Sequence, residues 1–148
     1  MVFGGSGGDT VNTGDGDPRT RDLLYGGPGG DKLRGGGGNS WIEGGSGDDD
    51  LFGGRGPKYD DLFGGGGSDT LTGGPGTDYL FAQRGDDDLF GNDGEDELSG
   101  HRGDDELRGG EGNDDLDGGL GTDSCGQGEG SGAIIFCESV LPLPQIVE

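Results

Sequence analysis

The sequence predicts an all-β fold, a parallel β-solenoid of short strands in two sheets, and three observations point to it. Forty-two of the 148 residues are glycine and only 25% are hydrophobic, too few to fill an ordinary globular core. A nine-residue frame recurs from residue 4 to residue 126. Within that frame one apolar residue returns at the eighth place, so each copy offers one inward-facing side chain between two outward ones, the alternation of a strand. Glycine at this level without a Gly-X-Y triplet would otherwise read as disorder, so the order has to come from the repeat.

The frame opens at Gly4 with GGSGGDTVN and puts Asp9 at the sixth place and Val11 at the eighth. The second copy, residues 13–25, carries a four-residue insertion before Asp22 and Leu24. GGPGGDKLR (26–34) and GGSGDDDLF (44–52) are regular, and GGGGNSWIE (35–43) between them has Ser40 where Asp stands elsewhere. The sixth copy, 53–63, absorbs two extra residues. GGGGSDTLT (64–72) and GGPGTDYLF (73–81) are regular again. The copies at 82–90, 91–99 and 100–108 keep the frame with substitutions in the turn, and those at 109–117 and 118–126 restore its glycines. Thirteen copies result, twelve with Asp at the sixth place. Glycine allows the positive φ and close backbone approach that a tight Gly-Gly-x-Gly turn demands. The eighth places form the expected core: Val11, Leu24, Leu33, Ile42, Leu51, Leu62, Leu71, Leu80, Leu89, Leu98, Leu107, Leu116 and Cys125.

Residues 4–126 therefore read as a thirteen-repeat solenoid, and residues 127–148 as a C-terminal cap and extended apolar tail. Ala133-Ile134-Ile135-Phe136 reads as a capping strand, and the start at Gly4 reads as an uncapped end. Val140 to Val147 is apolar with two prolines, which favours an extended chain able to reach the open start of a second molecule, an end-to-end contact. Cys125 and Cys137 lie close together, which favours a disulfide and an oxidising compartment over a metal site; two reduced structural cysteines are the alternative.

The frame G-G-x-G-x-D-x-U-x resembles the RTX, or hemolysin-type, calcium-binding nonapeptide repeat. The resemblance covers residues 4–126. It implies that the first six residues of each copy form a calcium-binding turn and the last three a short strand, two copies completing one coil of a right-handed parallel β-roll with such turns on both edges. Calcium takes roughly six to eight oxygen ligands from carboxylates and carbonyls, a set that stacked turns can supply.

The expected carboxylate ligands are Asp9, Asp31, Asp49, Asp69, Asp87, Asp105 and Asp123 on the edge of the odd copies, and Asp22, Asp60, Asp78, Asp96 and Asp114 on the other. Both insertions and Ser40 fall on the even edge, which should therefore bind less completely in its N-terminal half. The expected carbonyl ligands begin with Gly5, Gly7, Gly26, Gly27, Pro28, Gly29, Gly44, Gly45, Ser46 and Gly47. They continue through Gly64, Gly65, Gly66, Gly67, Gly73, Gly74, Pro75, Gly76, Ala82, Gln83, Arg84 and Gly85. Gly91, Asn92, Asp93, Gly94, Gly100, His101, Arg102, Gly103, Gly109, Gly110, Glu111, Gly112, Gly118 and Leu120 complete the set. With one ion between neighbouring turns of an edge, seven turns leave six sites and six leave five, up to about eleven ions.

Charge narrows the partners further. Acidic residues outnumber basic ones 31 to 9, for a formal charge of −22. Nucleic acid and anionic membrane would be repelled, and cations attracted. No stretch approaches the ~20 apolar residues of a membrane span. No catalytic constellation can be assembled: there is no H-E-x-x-H, and the single histidine, His101, reads as a solvated loop residue, so the chain is not expected to be an enzyme. On the even sheet Leu23, Tyr25, Trp41, Phe63, Tyr79 and Phe81 form an expected apolar stripe, either stacking that stiffens the sheet or a binding face. Three roles fit: a secreted, calcium-folded structural roll that assembles into an extracellular filament or coat, a secretion module detached from a larger enzyme or toxin, and a calcium-dependent binding module for glycan or protein.

Overall fold

The computed structural model describes residues 1–14 and 19–140, with Ser139 and Val140 as backbone only. Among the described residues every regular element is a strand. In chain order these are β1 (Val2–Phe3), β2 (Thr10–Asn12), β3 (Arg21–Pro28), β4 (Lys32–Arg34), β5 (Asn39–Ser46), β6 (Asp50–Phe52), β7 (Asp61–Gly66) and β8 (Thr70–Pro75). Then follow β9 (Tyr79–Arg84), β10 (Asp88–Asp93), β11 (Glu97–Arg102), β12 (Glu106–Glu111), β13 (Asp115–Leu120), β14 (Ser124–Glu129), β15 (Ile134–Ile135) and β16 (Ser139–Val140). Odd-numbered strands make one parallel sheet of eight and even-numbered strands the other, each pairing with the strand two places along. This is a two-sheet β-solenoid, as the nine-residue period predicts.

The eighth places stack in register. Leu24, Ile42, Leu62, Leu80, Leu98 and Leu116 form one inward column. Val11, Leu33, Leu51, Leu71, Leu89, Leu107 and Cys125 form the facing one. All are buried except Val11, which is partly covered near the end of the solenoid. Ala82, at the first place of its copy, is the one further member of this core.

From β7 to β14 the strands are six residues long, not the three that the resemblance implies. Pairing runs through the ninth place into Gly-Gly-x of the next copy, because positive φ at the second place keeps the backbone in register there. His101 consequently lies in β11, paired with Gln83 of β9, and not in a loop.

The two ends depart from the sequence reading. A short strand precedes Gly4: β1 pairs with β3, Val2 opposite Leu24, and Phe3 stacks on Tyr25 at 5.1 Å between centroids, while β1 and β2 remain the edge strands. At the other end the sheets run on past residue 126, where only the regular frame stops. Ile134 of β15 stands opposite Leu116, and Val140 of β16 opposite Cys125. Cys125 and Cys137 form a disulfide with Cα atoms 6.0 Å apart, tying the last turn to the core column. The tail from residue 141 and part of the first insertion, residues 15–18, lie outside the described residues. No helix among the described residues is long and apolar enough to cross a membrane.

The apolar stripe is interrupted. Glu43 separates Tyr25 from Phe63, and Asp61 separates Trp41 from Tyr79, in their respective columns. What remains is a diagonal stack of Trp41 on Phe63 at 4.6 Å and Phe63 on Phe81 at 5.4 Å.

Candidate metal sites

The sixth-place aspartates stand at the sheet edges, yet those from Asp31 to Asp123 outside the second copy are at most 3% exposed. Each is held by half of its carboxylate. Oδ1 of Asp31 accepts the backbone N–H of Asp9, Asp49 that of Asp31, Asp69 that of Asp49, and Asp87 that of Asp69, at 2.7 to 2.9 Å. The bond repeats through Asp105 and Asp123 on this edge, and through Asp60, Asp78, Asp96 and Asp114 on the other. The stack itself orders this carboxylate ladder, setting the N–H of one rung's sixth place against the carboxylate of the next.

The second oxygen has no such partner. Oδ2 is buried and without a hydrogen bond in Asp9, Asp31, Asp49, Asp69, Asp87, Asp105 and Asp123 on the odd edge, and in Asp78, Asp96 and Asp114 on the even one. A buried ionised oxygen left unpaired costs several kcal/mol unless a cation meets it. Beside Asp9, Asp31, Asp49, Asp69, Asp96, Asp105 and Asp123 lies a cradle. A Cβ built on Gly64 would stand 2.8 Å from the carbonyl oxygen of Ala82 in the next rung and against Asp69 Oδ2. One on Gly44 would meet Asp49 Oδ2 and, at 2.7 Å, the Gly64 carbonyl. Carboxylate and carbonyl therefore converge between rungs.

The other carbonyls divide by position. Those of Pro28, Ser46, Gly66, Arg84, Asp93, Arg102, Glu111 and Leu120, at the third place, accept the N–H of the fourth-place glycine one rung away. At the fourth place, the carbonyls of Gly29, Gly47, Gly67, Gly85 and Gly103 accept no backbone hydrogen bond among the described residues. Hard, uncommitted oxygens of both kinds are the donor set calcium takes. No group of three His, Cys, Asp or Glu side chains converges among the described residues. Any ion held here must draw mainly on carbonyls, which the donor arithmetic of the turns already requires.

The described residues match the RTX calcium-binding nonapeptide repeat (4 copies) over residues 25–57, 60–89 and 90–125. The chain belongs to this family. No curated protein and no solved structure matches it. Membership makes this RTX roll a calcium-binding β-solenoid, and its two edges differ in the oxygens they leave free. Asp22 Oδ2 is taken by the Thr13 hydroxyl at 2.7 Å, Ser40 donates its hydroxyl to the Gly53 carbonyl at 3.0 Å, and neither Asp22 nor Asp60 has an orphaned oxygen. Gly36, Gly54 and Gly56 lack the positive φ that the second and fourth places adopt elsewhere. Anomalous scattering from calcium-loaded crystals is expected to show regular ions from Asp9 to Asp123 and weak density beside Ser40, restored in Ser40→Asp. Equal occupancy around Ser40 in the unaltered chain contradicts the ligand argument.

One residue of this RTX edge escaped the sequence reading. Glu138 Oε2 accepts the N–H of Asp123 at 2.6 Å, the bond an aspartate makes in every rung before it. The turn leading to it is three residues shorter than the frame, so no nine-residue count reaches it.

Burial pushes the aspartates upward from their ordinary range, to about 6 for Asp49, Asp69 and Asp105 and to about 7 for Asp78, Asp87 and Asp96. Desolvation is the leading cause, opposed by the backbone N–H and reinforced by neighbouring carboxylates. With folded values above unfolded ones, these groups stabilise the metal-free roll fully below the ordinary carboxylate value near 3.8, and that contribution is lost as pH rises through 6 to 7. Calcium needs the ionised form, so its uptake must release protons across the same window. In chelator, circular dichroism should show more strand at pH 4 than at pH 8, while calcium affinity falls below pH 6. More strand at pH 8 than at pH 4 in chelator would reverse the sign.

Proposed function

We propose that the chain is a secreted, non-enzymatic RTX roll that folds on extracellular calcium and serves as a structural element, stacking end to end into a filament or coat. The row of unpartnered Oδ2 atoms from Asp9 to Asp123 carries this reading. When bound, calcium supplies the positive charge those oxygens lack and ties one rung to the next. The chain's own part is to hold each carboxylate by Oδ1, to bury it, and to leave fourth-place carbonyls uncommitted in the same turns. Six gaps between the seven odd-edge aspartates and the gaps joining Asp78, Asp96 and Asp114 are the sites assigned.

The disulfide supports an oxidising compartment, where calcium is also plentiful. For assembly, the support is apolar surface at both ends, Phe3 being 66% exposed and Phe136 69%. Sedimentation and negative-stain microscopy in millimolar calcium are expected to show end-to-end oligomers that dissociate in chelator. A strictly monomeric species at high concentration would turn the reading to the second role, a calcium-dependent binding or secretion module of a larger secreted protein. That role is favoured by one observation, a groove on the outer face of the first sheet.

A further inference from the structure

The outer face of β7, β9, β11 and β13 carries a cavity of about 770 Å³. Its origin is a step in one column of side chains. The ninth places run Phe63, Phe81, Ser99, Asp117 and Ile135, falling from aromatic to small and returning to apolar. A second cavity of about 310 Å³ continues the first and shares Phe81, Ser99 and Asp117 with it. From Phe81 to Ile135 the opening spans three rungs, roughly 14 Å at the spacing of paired strands.

Around this notch the repeat breaks its own rule. The second place of a copy is glycine at positive φ in most copies, but Gln83 and His101 occupy it here at φ 85° and 73°, as Asn92 does at 82° in the other sheet. They face each other in register and both line the larger cavity. Each such conformation costs on the order of 1 to 3 kcal/mol in a residue with a side chain. Next to them Arg84 stands opposite Arg102, like charges paired across neighbouring strands, an arrangement that destabilises a sheet. Among the described residues neither guanidinium has an ion pair, although acidic residues outnumber basic ones 31 to 9 in the chain. Asp117 Oδ1 is buried without a hydrogen bond, and the hydroxyl of Ser99, a residue 9% exposed, makes no hydrogen bond among the described residues.

We infer that this groove binds an anionic sugar, a hydroxylated ring carrying a carboxylate or a sulfate. Such a ligand uses every unexplained feature together. The two guanidiniums, on neighbouring strands, take the anion, each by paired N–H donors. Phe81, stacked on Phe63 and 6.2 Å from His101 between ring centroids, offers its remaining apolar surface to the C–H face of the ring. Asp117 Oδ1 accepts from a ring hydroxyl, and Ser99, Gln83 and His101 bond the remaining ones. The net negative chain repels anions elsewhere, so recognition depends on this local pair of positive charges.

The site goes beyond the calcium reading and rests on it only in that the sheet must be folded. Binding is therefore measured by calorimetry on calcium-loaded protein whose strand signal has been checked, with three disaccharide probes: a galacturonate, a sulfated galactose and a neutral galactose. The charged probes are expected to bind, with the tighter of them identifying carboxylate or sulfate as the anion, and the neutral one to bind at least 10-fold more weakly. Arg102→Gln should lower affinity 10-fold or more at unchanged calcium stoichiometry. His101→Gly separates function from folding: it restores the repeat, and should raise the melting temperature while weakening binding. The inference is overturned if neither charged probe binds, if the neutral probe binds equally, or if Arg102→Gln and His101→Gly bind as the unaltered chain does. Loss of strand signal in calcium would instead count against the calcium reading.

Discussion

Chelation of calcium is expected to abolish the strand signal of this roll, and calcium to restore it cooperatively. The interior holds about one leucine-sized side chain per nine residues, in two columns a single residue deep. Against that thin core stand carboxylates stacked at the strand spacing of about 4.8 Å, where neighbouring charges repel by roughly 1 to 3 kcal/mol for an effective dielectric between water and protein surface. Ten of them also bury an oxygen that nothing in the protein satisfies. Removing the cation leaves repulsion and desolvation uncompensated along the whole odd edge, so the effect is global. Adding it stabilises the fold by mass action, since the unfolded chain holds no such cradles. Far-UV circular dichroism across a calcium titration reads both directions. β-Structure unchanged in metal-free buffer at neutral pH would remove the basis for metal-driven folding.

The second large effect is expected from Gly103→Val. Gly103 sits at φ 137°, in a region that only glycine enters freely, and a Cβ there would run into the carbonyl of Gly85 one rung away. Backbone strain and this clash together should cost about 3 kcal/mol or more, a fall of roughly 10 °C in melting temperature for a domain of this size. The calcium midpoint should rise too, since the fourth-place carbonyls of both residues belong to the uncommitted donors. Gly66→Ala is the control: a Cβ there meets nothing within 4 Å, and φ is not in the left-handed region. It should change stability by no more than ~0.5 kcal/mol. Equal losses in the two variants would show that close approach between rungs is not what the glycines provide.

Much of this was legible from residue order, because a period is a local property. Nine-residue spacing determined which side chains face inward, and the buried columns from Leu24 to Leu116 and from Leu33 to Cys125 follow it residue by residue. The same count placed Asp9 to Asp123 on one uninterrupted edge and Ser40 with both insertions on the other. Spacing also brought Cys125 and Cys137 within reach of each other.

Contacts between rungs were decided only by the tertiary structure. A sequence does not say which oxygen of Asp69 is spent on a backbone N–H and which is left for a cation, since that depends on the rise and tilt of one rung against the next. Nor does it show that third-place carbonyls are consumed by the ladder while fourth-place ones are not, that β1 adds a strand beside β3, or that Glu138 continues the odd edge after a shortened turn. The notch below Phe81 is of the same kind. Ser99, Asp117, Arg84 and Arg102 lie up to 33 residues apart in sequence, and only parallel stacking at two copies per coil brings them to one surface.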